Sequence, residues 1–248
     1  MNDYVKKNME TISSWICDGW TWGKPISKSE FERAKKGDYS LLLTPKKPVP
    51  KSWIGDVKDK EVLGFASGGG QQVPILAALG AKVSLLDLNE SQVKADIDYA
   101  KREKYDIEIY QNDYNEPFPI PNDKFDMIFA PVSLVYAETL DPIFKELYRV
   151  LKPGGRLLIG FDNGINFITN DEITIENSLP FNPLRNKNQQ KSLEKDDAGY
   201  QFSHTLGETL GGLLRVGFVL KDIYEDVNEY GRLADLGIPS YYSVYLIK

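Results

Sequence analysis

The sequence predicts an α/β fold: a mostly parallel sheet covered by helices on both faces. Three observations carry that expectation. Five short apolar runs between residues 61 and 161 alternate with stretches of helical character. The runs are near-continuously apolar, as in strands buried on both sides. Two further strand-like runs, 218–227 and 241–248, follow toward the end of the chain.

Residues 3–18 mix polar and apolar positions and suit an amphipathic helix, broken by Gly19, Gly23 and Pro25. Ser27 followed by Glu30 is a capping-box pattern, which predicts a helix over 28–36 that Gly37 ends. The three prolines of TPKKPVPKSW (44–53) predict an extended connector, and the main domain is expected to start near Asp59. EVLGFA (61–66) reads as a buried strand. Residues 71–79 read as a helix, with Pro74 tolerated in its first turn and Gly80 at its end. KVSLLDL (82–88) is a strand, and 90–104 a helix with Asn89 as N-cap. Strands are expected at 107–113 and 124–131, a helix at 140–151 stopped by KPGG, and a fifth strand at 156–161. Residues 162–202 are rich in Asn, Asp and Lys. A featureless loop of that length is unusual in a compact domain, so an insertion with structure of its own is expected. SHTLGETLGGLLRVG then predicts a helix closed by Gly217. The charge runs KREK (101–104) and EKDD (194–197) are expected to be solvated surfaces.

Composition narrows the function. The formal net charge of −6 argues against a nucleic-acid partner, because phosphate backbones are gripped by clustered Lys and Arg. One cysteine, Cys17, rules out an intrachain disulfide; with the single histidine, His204, it argues against a zinc site, and no metal is expected. No apolar run approaches the roughly 20 residues that span a bilayer, and MNDYVKKNMETISSW lacks the apolar core of a signal peptide. The expectation is a cytoplasmic, soluble protein with no membrane partner.

The chemistry centres on GFASGGGQQ (64–72), a glycine-rich turn after the first strand. A triphosphate loop would need Lys and a hydroxyl after the last glycine, where this chain has Gln71 and Gln72. A dinucleotide loop needs G-x-G-x-x-G, which no register of Gly64, Gly68, Gly69 and Gly70 supplies. What remains is G-x-G (Gly68, Gly70) directly after a strand, with Asp87 about 20 residues on, at the end of the next strand, where a carboxylate accepts both hydroxyls of a ribose. The pair points to a nucleoside ligand. A tight strand-to-helix corner and a capping Asp are the structural alternatives.

The stretch 61–161 resembles the class I S-adenosylmethionine-dependent methyltransferases. In that family the first strand and loop run apolar, apolar, acidic, x, Gly, x, Gly, x, Gly. Val62 and Leu63 match the apolar pair, Gly64 stands at the acidic position, Ala66 takes the first glycine, and Gly68 and Gly70 match the others. LLDLNESQV is similar to the ribose strand, and LYRVLKPGGRLLIGF to the helix, turn and fifth strand. The N-terminal W…GWTWG and LLTP…VP segments look like a little-characterised bacterial branch of the family. The resemblance implies a Rossmann-like, doubly wound, seven-stranded sheet with an antiparallel last strand. Residues 1–58 would be an N-terminal helical and extended lid, and 59–248 the catalytic domain with its insertion at 162–202. The implied cofactor is S-adenosyl-L-methionine, leaving as S-adenosyl-L-homocysteine. Asp87 would take the ribose diol, Leu88 and Asn89 would flank the adenosine, and Asp113 would accept the adenine amino group beside Tyr114. Gly64, Ala66, Ser67, Gly68, Gly70, Gln71 and Gln72 would surround the methionine end, with Ala130 and Pro131 at the end of the fourth strand.

Methyl transfer from a sulfonium is an in-line displacement, so the protein must align the acceptor and exclude water. Trp15, Trp20, Trp22 and Tyr136 are candidate aromatic partners of the sulfonium, and each Trp could equally pack a helix onto the sheet. Tyr136 and His204 are the catalytic candidates: Tyr136 follows the fourth strand, and His204 titrates near neutrality and is expected to face the acceptor. The expected acceptor is a small molecule. A cofactor-binding protein without transfer activity, or a nicotinamide-dependent oxidoreductase, are the alternatives.

Overall fold

The computed structural model describes residues 2–195 and 197–248. Met1, and Asp196 of the acidic run and the insertion, lie outside the described residues. The N-terminal part holds α1 (Asp3–Cys17), a single 3-10 turn at Thr21–Gly23, α2 (Lys28–Ala34) and the one-turn α3 (Lys51–Ile54). There follow β1 (Glu61–Phe65), α4 (Gln72–Ala78), β2 (Lys82–Asp87), α5 (Glu90–Glu103), β3 (Ile107–Gln111), β4 (Phe125–Ala130), α6 (Asp141–Val150) and β5 (Leu151–Asp162). Beyond them lie α7 (Lys187–Lys195), α8 (Leu210–Val216), β6 (Val219–Asp226), α9 (Arg232–Asp235) and β7 (Tyr241–Ile247).

The strands form one sheet in the order β3-β2-β1-β4-β5-β7-β6. β1 to β5 run parallel, and β7 lies antiparallel between β5 and β6. This is the Rossmann-like, doubly wound arrangement. The order reverses at β1, whose neighbours are β2 and β4, so the carboxyl ends of these strands open a crevice.

Side chains divide by strand alternation. Leu63, Phe65, Ile128, Leu157 and Ile159 meet Ile143, Phe144, Leu147 and Val150 of α6 on one face. The apolar stripe of α6 falls at helical spacing, with Pro142 harmless in its first turn. Val62, Val83, Leu85, Met127 and Phe129 meet α4 and the N-terminal segment on the other. Each such side chain contributes about 1.5–3 kcal/mol when fully buried.

Three expectations change. The proline-rich 44–53 segment is more than a connector: it carries α3, and Leu41, Leu43, Val49, Trp53 and Ile54 join the second core. KPGG is an excursion within β5, because pairing with β4 jumps from Phe125↔Leu151 to Met127↔Arg156. The helix expected over 203–217 forms only at Leu210–Val216. Before it, Thr205 and Glu208 close a separate turn, each side chain accepting the other's backbone N–H (3.2 and 2.8 Å).

Candidate active site

A cavity of about 650 Å³ opens at the carboxyl edge of the sheet, within the size range of small-molecule sites. Its floor is the loop after β1 and the ends of β2, β4 and β5. One side is closed by α1 and the tryptophans after it, the other by the insertion and the start of β7.

The loop is organised around two carboxylates. Asp87 ends β2, and its Oδ2 accepts the Gly68 N–H at 3.0 Å while Oδ1 accepts the Asn89 N–H at 3.0 Å. Burial raises its pKa, and those backbone N–H groups oppose the rise. Asp96, on α5, is fully buried behind the loop; its Oδ2 accepts the Gly70 N–H at 2.9 Å. Burial chiefly, with the nearby Asp87 charge, pushes Asp96 up to about 7. Ala66, where the family has its first glycine, is held at φ +46° and still lines the cavity. Gly64 lies beneath the loop, and a Cβ there would come within 2.5 Å of Ser67 Oγ and Val73 Cγ2. The absent acidic side chain at this position thus has no room in this chain.

The other expected residues fall in three groups. Ala66, Ser67, Gly68, Gln71, Gln72, Asp87, Leu88, Asn89, Asp113, Tyr114, Pro131, Tyr136 and Trp22 line the cavity together. Asp113 is fixed by Asn115, whose N–H and Nδ2 both donate to Oδ1 (2.9 and 2.7 Å). Gln71 lines the cavity but spends its amide on the N-terminal segment, donating to Thr21 O (2.7 Å) and Lys24 O (3.0 Å). Gly70 (φ +72°) packs against Pro25 and accepts the Ile26 N–H at 2.9 Å, so this glycine admits the N-terminal segment rather than the cavity. Gly64, Gly70 and Ala130 do not line the cavity, Ala130 being in the core under β4.

Trp15 and His204 do not line the cavity. Trp15 stays outside the lining and packs on Trp20, ring centroids 5.5 Å apart, while Trp20 and Trp22 reach the cavity. The segment 200–204 does return to the sheet edge, where Phe202 N–H donates to Val135 O. The His204 imidazole, however, turns away from the cavity, its Nε2 lying 2.9 Å from Ala137 O. Burial lowers its pKa.

The sequence reading missed the far wall. Asp162 ends β5, is 8% exposed, and lines the cavity with Tyr241, its cross-strand partner on β7. Its Oδ1 accepts the Gly164 N–H (2.6 Å) and its Oδ2 the Asn166 Nδ2 (2.7 Å). Asn166 Oδ1 in turn accepts Asn228 Nδ2 at 2.9 Å. Burial pushes Asp162 up to about 6. A signal existed: Asp162 sits at a strand end as Asp87 does, one residue past the recognised fifth-strand pattern. Also missed was Asn8 of α1, whose side chain donates to Tyr200 O (2.9 Å) and accepts its N–H (2.6 Å), joining α1 to the insertion. Among the described residues, the ionisable lining groups other than tyrosines are Asp87, Asp113, Asp162, Glu172 and Glu229, and no Lys, Arg or His lines the cavity. No cluster of three His, Cys, Asp or Glu among them is placed to hold a metal, and no described helix is long and apolar enough to cross a membrane.

A family described as methyltransferase domain matches residues 63–159. The uncharacterized methyltransferase YbaJ of Bacillus subtilis (strain 168) is 34% identical over 234 residues, 91% of this chain and 92% of that one. Sterol 24-C-methyltransferase ERG6B of Gibberella zeae is 35% identical over 105 residues, 41% of this chain and 27% of its own. Among solved structures, an S-adenosylmethionine-dependent methyltransferase from Mesorhizobium loti has a TM-score of 0.60 at 18% identity, covering 80% of this chain and 95% of that one. Phospholethanolamine N-methyltransferase 2 of Haemonchus contortus, solved with S-adenosylhomocysteine, has a TM-score of 0.55 at 16% identity over 80% of this chain and 51% of its own.

Proposed function

Because the chain belongs to the class I S-adenosylmethionine-dependent methyltransferases, we propose that it binds S-adenosyl-L-methionine in the near half of this cavity and methylates a small molecule held in the far half. The observation that carries the reading is Asp87. Each of its oxygens uses one lone pair on a backbone N–H and keeps another for a ligand, at the carboxyl end of the strand beside the order reversal. Asp113 Oδ2 accepts no hydrogen bond among the described residues and is the candidate acceptor for an amino group on the base. The lining suits a ligand bearing a sulfonium and no phosphates: acids are present and no described cation is. A nicotinamide dinucleotide would bring a pyrophosphate to a wall without a positive side chain, which argues against that alternative.

When bound, the cofactor supplies an activated methyl group. This chain's residues hold the nucleoside through Asp87 and Asp113 and exclude water with α1, Trp20 and Trp22. Tyr136 would sit between the halves as a hydrogen-bonding phenol; burial pushes it up to about 12, so it stays protonated. The domain division proposed is a closing N-terminal segment at 1–58 and a catalytic domain at 59–248. Calorimetry with S-adenosylhomocysteine tests the reading. Wild type is expected to bind it, and Asp87→Ala to lose about 3 kcal/mol, roughly a hundredfold. No binding by folded wild type, or equal binding by Asp87→Ala, would sink it.

A further inference from the structure

The far half of the cavity has a charge and a shape that the methyl-transfer reading does not use. Asp162 is its deepest ionisable acid, more than nine-tenths buried and fixed in position by the Gly164 N–H and Asn166 Nδ2. Those two contacts occupy one lone pair on each oxygen and leave two more. The groups facing it are a phenol and amides: Tyr241 across the strand pair and Asn166 linked to Asn228, with Tyr136 from the turn after β4 lining the same cavity. Tyr242, the next residue on β7, is also near enough for its phenol to feel the carboxylate, and that phenol donates to Thr209 Oγ1 in the core. Glu172 and Glu229 line the outer part, and Phe167 and Phe181 add aromatic surface.

Such a wall sorts ligands by charge. An acid or a phosphate ester would meet carboxylates and no described cation, and like charges repel strongly in a low-dielectric site. A cation would gain an ion pair with hydrogen bonds and the faces of aromatic rings. We infer that the methyl acceptor is an amine that enters as an ammonium ion, with Asp162 as the carboxylate that pairs with it and takes its proton. This rests on the proposed cofactor site in the near half.

The chemistry balances. The ammonium N–H gives its proton to an Asp162 carboxylate oxygen, leaving a neutral amine with a lone pair. That pair forms the N–C bond to the transferred methyl as the C–S bond breaks, and the C–S electrons remain on sulfur, which becomes a neutral thioether. The methylated nitrogen now carries the positive charge as the product ammonium, and the proton taken up by Asp162 passes to solvent, which restores the carboxylate. Asp162 at about 6 suits the first transfer near neutrality, since a base works best with a pKa near the working pH. Tyr136 and Tyr241 are both raised by burial and hold their protons there.

The test uses the full chain saturated with S-adenosylhomocysteine and three probes on one skeleton: 2-phenylethylamine, 2-phenylethanol and phenylacetate. Thermal shift and calorimetry are expected to show the amine binding at least tenfold tighter than the alcohol, with the acid not binding. The amine is expected to weaken as pH falls through about 6, where Asp162 takes a proton. Asp162→Asn is expected to keep its S-adenosylhomocysteine affinity within twofold, which checks folding, and to lose both the amine preference and the pH dependence. Equal or reversed order among the probes, an amine preference surviving in Asp162→Asn, or no probe binding at all would overturn the inference. Failure to bind S-adenosylhomocysteine in the first place would strike the cofactor reading instead.

Discussion

The two halves of the cavity hold their carboxylates differently. In the near half Asp87 is gripped by backbone N–H groups from its own strand end and from the glycine loop. In the far half Asp162 shares itself between one backbone N–H and a side-chain amide that is itself hydrogen-bonded to Asn228. Backbone donors cannot turn away and cannot be exchanged by mutation. Amide side chains can do both. The near half is thus a fixed cradle suited to one invariant ligand, and the far half is a wall whose selectivity rests on a few replaceable side chains.

The largest test of that contrast is Gly64→Asp, which restores the acidic residue of the family pattern. If the near half is as tightly fixed as described, the new side chain collides with Ser67 Oγ and Val73 Cγ2 and also buries a charge. The expected loss is about 4 kcal/mol of stability, from overpacking and desolvation together. Denaturant unfolding measures it. A variant of unchanged stability with tighter S-adenosylhomocysteine binding would show instead that the near half can yield.

The same contrast explains what the sequence discloses. The near half is local: strand, loop and Asp87 lie within the 27 residues from Glu61 to Asp87, and each piece obeys a short-range rule of strand, turn or cap. Its outline is therefore readable from Val62, Gly68 and Asp87. The far half joins Asp162 to Tyr241 and Asn166 to Asn228, contacts separated by the insertion, α8 and β6. No pattern of spacing encodes such contacts. His204 shows the converse case. Its chemistry suits a base, but its Nε2 lies 2.9 Å from the carbonyl of Ala137 and the residue does not line the cavity. The proline-rich segment misled for a related reason, since composition shows a break in regular structure but not that Trp53 and Ile54 are buried behind it.

A prediction of intermediate size concerns Asp96. It faces the Gly70 N–H, with the Asp87 charge nearby and the Gln92 and Tyr105 side chains buried in the same region. Its folded pKa, about 7, lies above the ordinary carboxylate value of 3.8. A raised carboxyl favours the protonated fold, so its stabilising contribution is complete below about pH 4 and is lost as pH rises through 7. Asp162, at about 6, adds a smaller effect of the same sign. Between pH 5 and 8, wild type is expected to lose on the order of 2 kcal/mol relative to Asp96→Asn in urea titrations. Parallel curves for the two proteins would mean that Asp96 is already ionised at pH 5.

The smallest test is the sharpest for the loop itself. Ala66 sits at φ +46°, a conformation in which a Cβ crowds the following carbonyl. Glycine relieves that strain but leaves the unfolded chain freer, which offsets part of the gain. Ala66→Gly is expected to stabilise the protein by about 0.5 kcal/mol, a rise of about 1–2 °C in melting temperature for a chain of this size. S-adenosylhomocysteine affinity should stay within twofold, because the Ala66 N–H keeps its 2.7 Å bond to Leu86 O whichever residue is present. The methyl group also packs against the core beneath β1. If Ala66→Gly destabilises instead, that packing outweighs the backbone strain, and the near half is held by side-chain contact as well as by its backbone.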